Sequence, residues 1–135
     1  MPSPFINQAT SNQDFLDNLE DKFPDVFLDW KITVMFYIAV HLLKELAEQY
    51  NVDIGRTHEE TAIKLDPKRT KNSVLSLPDK VWRCYRHLYR YSKEYRYDGL
   101  MDDEVKHESR LKDYEAAKSA LSIFCDYMHS EGIKH

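Results

Sequence analysis

Glycine is scarce, with three residues in a chain of 135, and there are five prolines. Both cost stability inside helices, and the prolines fall near the ends of periodic segments, so the composition is helical with few turns. Cysteine is nearly absent. Cys84 and Cys125 lack CxxC spacing and a surrounding disulfide pattern, which reads as two thiols in a reducing compartment. No apolar run is long enough to span a membrane: the longest, VMFYIAVHLL, is half of the roughly 20 residues required. The opening MPSPFINQATSNQDF has no basic n-region and no apolar h-region, so no signal peptide is visible, and the chain is expected to be cytoplasmic. Strong charge of one sign is missing too. A net charge of −4 gives no whole-domain attraction to nucleic acid or anionic lipid, so any such binding must come from a local patch.

What is present fits one folded domain over residues 1–135, with 1–10 and 130–135 expected to be flexible ends. Aromatics at 13% and charged residues at 31% argue against disorder. The periodicity predicts a first helix from about Ser11, as N-cap, to Phe23, with Phe15, Leu16, Leu19 and Phe23 on its apolar side and Pro24 as its stop. A long second helix is expected from about Val26 to Tyr50. Its middle, Val34 to Leu43, is apolar on nearly every side apart from His41, which marks a central, buried helix. Thr57 and Glu60 have capping-box spacing and open a short helix to about Leu65. Asp79 caps a fourth helix that ends at Asp98-Gly99. A fifth runs from about Asp103 to His129, with Leu111, Tyr114, Ala117, Leu121, Phe124 and Met128 on one side. The expected fold is all-α: an antiparallel bundle of four to five helices.

The fourth helix carries the densest chemistry, VWRCYRHLYRYSKEYRYDG. At about 100° per residue, Cys84, Tyr85, Leu88, Ser92 and Tyr95 share the side of Val81. Arg83, Arg86 and Arg90 lie opposite, with Tyr97 among them, so the arginines form a solvated basic face that doubles as a candidate RNA-binding face. Ser92 and Arg96 break the core stripe four residues apart, as Tyr37 and His41 do on the second helix. Buried polar groups need partners, so these four are expected either to form a closed hydrogen-bond network or to line a small anion or nucleotide site.

The stretches DWKITVMFYIAVHLL, THEE and YRHLYRYSKEYRY together resemble the pattern of bacterial and archaeal HEPN-domain proteins (higher eukaryote and prokaryote nucleotide-binding). The matching positions are Asp29-Trp30, then Phe36, Tyr37, Ala39 and His41, then His58, and last Tyr85, Leu88, Tyr89, Ser92, Arg96 and Tyr97. The resemblance covers roughly half the chain, about Asp29 to Tyr97. It implies a helical bundle, a homodimer, and an association with nucleotide or RNA. It also implies a nucleotidyltransferase-type protein partner in a toxin–antitoxin or defence setting. Many members are metal-independent ribonucleases with an Arg, four to six intervening residues and a His. That spacing is absent here: Arg83 and His87 are separated by three residues, Arg56 and His58 by one, and Arg96 and His107 by ten. Thr61 stands where the family pattern places an Arg, with Lys64 or Arg56 as possible replacements for that charge.

No metal or other cofactor is expected. The six histidines lack HxxxH or HExxH spacing, no Walker loop or Rossmann glycine pattern is present, and neither cysteine has an adjacent base. His129 and His135 are expected to be exposed. Three function classes remain open: a nucleotide- or RNA-associated binding or accessory module; a degenerate ribonuclease using His41, Arg83, His87 or Arg96 as acid, base or charge stabiliser; and a structural interaction protein with no ligand.

Overall fold

The computed structural model describes residues 3–69, 75, 77–97 and 103–135, with the side chains of 95–97 and 103–107 outside the description. It contains five helices: α1 Pro4–Lys22, α2 Leu28–Gln49, α3 His58–Leu65, α4 Asp79–Tyr97 and α5 Asp103–Ser130. Among the described residues there is no strand, and no helix is long and apolar enough to cross a membrane. Helix α2 packs against α1, α4 and α5, and α4 packs against α5.

Helix α1 starts well before Ser11. Ser3 is its N-cap, accepting a hydrogen bond from the Ile6 amide at 3.1 Å, and Pro4 occupies the first turn, where a missing N–H costs nothing. The Ser3 hydroxyl also donates to the Glu45 carboxylate of α2. Residues 4–10, expected to be a flexible lead-in, are therefore helical, and Ser11 is an exposed mid-helix residue. The buried face of α1 is Ala9 and Leu16; Phe15 and Phe23, assigned to that face by their spacing, point outward.

The α1–α2 corner is built around one lysine. Helix α1 stops at Phe23, and the chain re-enters helix at Leu28 through Phe27, which takes a left-handed conformation (φ 58°, ψ 33°) unusual for a bulky residue. The start is thus two residues later than the pattern at Val26 suggests. Lys31, on the buried side of α2, turns its ammonium back to donate to the carbonyls of Phe23 and, at 3.2 Å, Pro24. The Phe23 carbonyl, at the C-cap, is an acceptor that the end of a helix leaves unsatisfied, and the Pro24 carbonyl lies just beyond it. The ammonium also lies 5.4 Å from the centre of the Tyr114 ring of α5, and the Tyr114 hydroxyl donates to Glu20 of α1 at 2.6 Å. Burial lowers the proton affinity of Lys31, while the Glu20 and Asp25 carboxylates oppose that shift. One cation therefore joins α1, α2 and α5.

Beyond Lys31, α2 is apolar on several faces as expected: Ile32, Met35, Ile38, Ala39, Leu42, Leu43 and Leu46 are buried. Tyr37 is the exception on this segment and is exposed. Helix α4 buries Val81, Cys84, Tyr85, Leu88 and Ser92 as its wheel predicts, and Trp82 as well. Its N-terminal turn is closed by the Pro78 carbonyl, which accepts from the Trp82 amide; Asp79 is the first helical residue, and its carboxylate pairs with Arg83. On α5, Tyr114, Ala117, Leu121, Phe124 and Met128 are buried, but Leu111 is exposed.

The C-terminal residues fold back. Gly132 (φ 85°) follows α5, with its amide bonded to the His129 carbonyl and the Ile133 amide bonded to the Met128 carbonyl, the paired bonds of a Schellman stop. Ile133 and Met128 are both buried there. His129 and His135, expected to be exposed, are half-buried, with facing ring nitrogens 3.3 Å apart; the other His135 ring nitrogen lies 3.1 Å from the Gln13 side-chain oxygen. Residues 130–135 therefore close onto α1.

Replacing Lys31 with Met keeps the volume but leaves the Phe23 and Pro24 carbonyls without their donor. The expected outcome is a loss of roughly 1–3 kcal/mol in urea unfolding, with an unchanged m-value. Unaltered stability would show that the corner does not depend on this ammonium.

Candidate functional site

A cavity of about 440 Å³ opens between α2, the segment leading into α3, and α4. Helix α2 supplies Phe36, Tyr37, Val40 and Lys44, which recur on one side of the helix. The 54–58 segment supplies Arg56 and His58, and α4 supplies Tyr85 and Tyr89. The turn is set by side chains. Asp53 accepts from the Gly55 amide at 2.8 Å, Glu60 accepts from the Arg56 amide at 2.7 Å, and Thr57 caps α3 by accepting from the Glu60 amide at 3.1 Å. Glu60 thus reaches one residue further back than a capping box requires. Gly55 has φ 77°, and a Cβ there would lie 2.1 Å from a Glu60 carboxylate oxygen, so glycine is required on both counts.

The wall of the cavity is aromatic. The His58 ring lies 3.6 Å from Tyr89, nearly parallel at 4°, and is also stacked over Tyr85 at 6.0 Å and Trp82 at 6.1 Å. Phe36 bridges this group to Tyr37, with ring centres 5.5 Å apart. Lys44 and Arg56 are the cations of the lining, which contains no carboxylate. Two other cavities of similar size differ in this respect. The one between α1 and α5 carries Asp17 and Glu20, and the one beside Val52 carries Glu48 and Asp53.

His58 is held toward its neutral form. Burial is the main cause, and the cations of Lys93, Arg69 and Arg86 act in the same direction. Its Nδ1 atom is buried with no hydrogen-bond partner among the described residues. Tyr85, almost fully enclosed, is held protonated by burial. Rings that offer a flat face beside two cations, with the nearest carboxylates, Asp53 and Glu60, engaged by the Gly55 and Arg56 amides, can take a planar heterocycle bearing an anionic group.

Of the residues singled out in the sequence, Tyr37 and His58 meet in this cavity. His41, one turn beyond Tyr37, is half-buried and does not line it; burial and the Lys44 charge lower its proton affinity. Ser92 is fully buried inside α4, and the side chains of Arg96 and Tyr97 lie outside the described residues. Arg83, Arg86 and Arg90 are exposed: Arg83 pairs with Asp79 at 3.3 Å, and the Arg90 guanidinium lies 5.6 Å from the Tyr91 ring centre. His87 is half-buried beside Tyr91. Thr61 does structural work instead of bearing charge, donating to the Ile54 carbonyl at 3.0 Å, while Lys64 is exposed and Arg56 takes the place at the cavity. Lys44 escaped the sequence argument, although its spacing from Tyr37 and Val40 places it on their side of α2.

Cys84 is buried and Cys125 half-buried; burial pushes the Cys125 thiol up to about 12, so neither is an activated nucleophile. Among the described residues no group of three or more His, Cys, Asp or Glu is arranged to hold a metal ion. No family model, curated protein or solved structure matches this chain.

His41, His58, His87 and His135 are all shifted below the ordinary histidine value of 6.5 by burial. The unfolded chain therefore binds protons before the folded one does. The stability these neutral rings contribute is at its full value above about pH 7 and falls as pH drops through 6.5 toward the lowered folded values. Thermal melts between about pH 7.5 and pH 5.5 should show Tm falling with acidification; a constant or rising Tm would contradict the burial of these rings.

Proposed function

We propose that this chain is a HEPN-like helical module that binds a nucleotide, free or as an unpaired residue of RNA, in the cavity between α2, α3 and α4. The observation behind this reading is the convergence of Tyr37, His58 and Tyr89 with Lys44 and Arg56 around a cavity whose lining has no carboxylate. The base stacks on the exposed Tyr37 ring or on the His58–Tyr89 wall, and the phosphate pairs with Lys44 and Arg56. The resemblance of residues 29–97 to HEPN domains supports the same reading independently and adds an antiparallel topology. An accessory role beside a nucleotidyltransferase-type protein, in a toxin–antitoxin or defence setting, rests on that resemblance alone.

A second reading, metal-independent RNA cleavage, draws on one atom. The buried Nδ1 of a neutral His58 can accept a proton, and Arg56 lines the same cavity as a charge stabiliser. This assigns the base to His58 instead of His41 or His87. The third reading, a ligand-free interaction protein, is what remains if neither chemistry is observed.

Titration of a labelled single-stranded RNA, followed by fluorescence polarisation in EDTA, tests all three. Tyr37→Ala should weaken binding by roughly 5- to 150-fold, the worth of one stacked base. Lys44→Ala with Arg56→Ala should weaken it further and flatten its salt dependence. Unchanged affinity in both variants would remove the cavity reading. Cleavage that disappears in His58→Ala would promote the second reading, and intact RNA at near-stoichiometric protein would eliminate it.

A further inference from the structure

Asp17, Gln13, His135 and His129 form one relay of hydrogen bonds between α1 and the segment after α5, and its direction is fixed by chemistry. A carboxylate only accepts, so Gln13 turns its side-chain NH2 to Asp17, at 3.0 Å. The Gln13 oxygen then faces Nε2 of His135 at 3.1 Å. An amide oxygen also only accepts, so Nε2 carries the ring hydrogen. In the neutral imidazole the other nitrogen, Nδ1, is therefore bare. It faces Nε2 of His129 at 3.3 Å, and in the metal-free chain it accepts the hydrogen of that atom.

Two imidazole nitrogens at this separation fit a metal ion. Zinc–nitrogen bonds of about 2.0–2.1 Å at the tetrahedral angle put two nitrogens about 3.3–3.4 Å apart, whereas a square-planar ion with bonds of the same length needs about 2.8 Å. The relay behind His135 is the support that metal-bound histidines carry: a ring N–H donating to an oxygen, which fixes both the tautomer and the orientation of the ring. Both histidines line the cavity of about 420 Å³ between α1 and α5, which gives an ion a way in and room for water. That lining sets two carboxylates, Asp17 and Glu20, against one ammonium, Lys118, so it does not repel a cation. Glu20 and Lys118 are both engaged with Tyr114, whose hydroxyl donates to Glu20 and whose ring centre lies 5.2 Å from the Lys118 ammonium. On the segment after α5, Glu131 and Lys134 are exposed and cancel in charge.

We propose that His129 and His135 bind a divalent transition ion, zinc by its geometry, and that the bound ion clasps residues 131–135 to α5 and, through Gln13, to α1. The ion takes the place of the shared hydrogen, which moves from Nε2 to Nδ1 of His129. Water completes the shell. Two protein ligands, fewer than the three of catalytic or the four of structural zinc, make the ion exchangeable, so the clasp closes and opens with zinc concentration. The site shares no lining residue with the nucleotide cavity, and RNA titration in EDTA leaves it empty, so the two readings stand or fall separately.

Calorimetric titration of chelator-stripped protein with zinc chloride, at about pH 7.5 where imidazole is neutral, should show one ion per chain. Tm should rise with added zinc, because only the folded chain holds the two rings together. His129→Gln and His135→Gln should each abolish the binding heat. Gln13→Ala and Asp17→Ala keep both ligands and should each weaken binding roughly 10- to 100-fold. Calcium, which takes oxygen ligands, should give no heat. In histidine NMR spectra of the unaltered chain, zinc should shift the His129 and His135 signals and leave those of His41, His58 and His87 in place, a readout that depends on no variant folding. No heat and no shift in excess zinc, binding that survives loss of both histidines, or signals that move at His41, His58 or His87 instead would overturn the proposal.

Discussion

The ammonium of Lys31 is the constraint around which three helices are arranged. Helix α2 has apolar residues on several sides, so α1, α4 and α5 must cover it, and a charge on its covered side, such as Lys31, must find its partners inside the protein. The chain resolves this locally. The end of α1 leaves carbonyls without donors, and Lys31 supplies the protons. Glu20 and Asp25 supply the counter-charge, and Tyr114 couples the Glu20 side to α5. Each group satisfies a need created by another, so α1, α2 and α5 meet around one buried charge.

The second organising feature is the division of α4 into an aromatic inner side and a cationic outer side. Tyr85 and Tyr89 build the cavity wall with His58, while Arg83, Arg86 and Arg90 face solvent. The two sides are coupled through charge: Arg86 and Lys93 disfavour a proton on His58, so the basic face helps keep the ring neutral and flat against Tyr89. An overall net charge of −4 does not oppose this, because many of the carboxylates sit at the α1–α2 corner and around the other cavities, and those nearest, Asp79 and Glu60, are engaged by Arg83 and the Arg56 amide. Local composition, and not the sum, sets what each surface attracts.

The helical class, the central position of α2, the Thr57 cap and the inner stripe of α4 were legible because each is a local pattern of period, cap or stop. The α1 start was missed because Ser3 caps it through a geometry that Ser11 equally suggests in the sequence, and because Pro4 favours a first turn as readily as it breaks a helix. Phe15 and Phe23 were placed inside by their spacing with Leu16 and Leu19, whereas α1 buries Leu16 together with the small Ala9 and turns both rings outward. The ends of the chain looked loose by position, but burial of Ile133 and the His129–His135–Gln13 contacts are long-range events that no window contains. Within the site, Tyr37 and His58 were legible individually. Their meeting with Lys44 and Arg56 depends on how the 51–57 turn returns to α2, and that path is set by Gly55 and Glu60.

That turn also shows why the cavity wall needs a histidine where another flat ring seems equivalent. His58 lies at the start of α3, where the positive end of a helix dipole and the Lys93, Arg69 and Arg86 cations all disfavour its proton. A phenylalanine would stack as well but would carry no nitrogen; a permanently cationic side chain would be repelled by Lys93, Arg69 and Arg86. A neutral imidazole tolerates the cationic surroundings and keeps its stacking on Tyr89, with one ring nitrogen unprotonated. An anion placed between Lys44 and Arg56 would offset those cations and raise the proton affinity of the ring. Occupation of the cavity and the charge on His58 are thereby linked by electrostatics alone, whether the bound group is merely held or chemically changed.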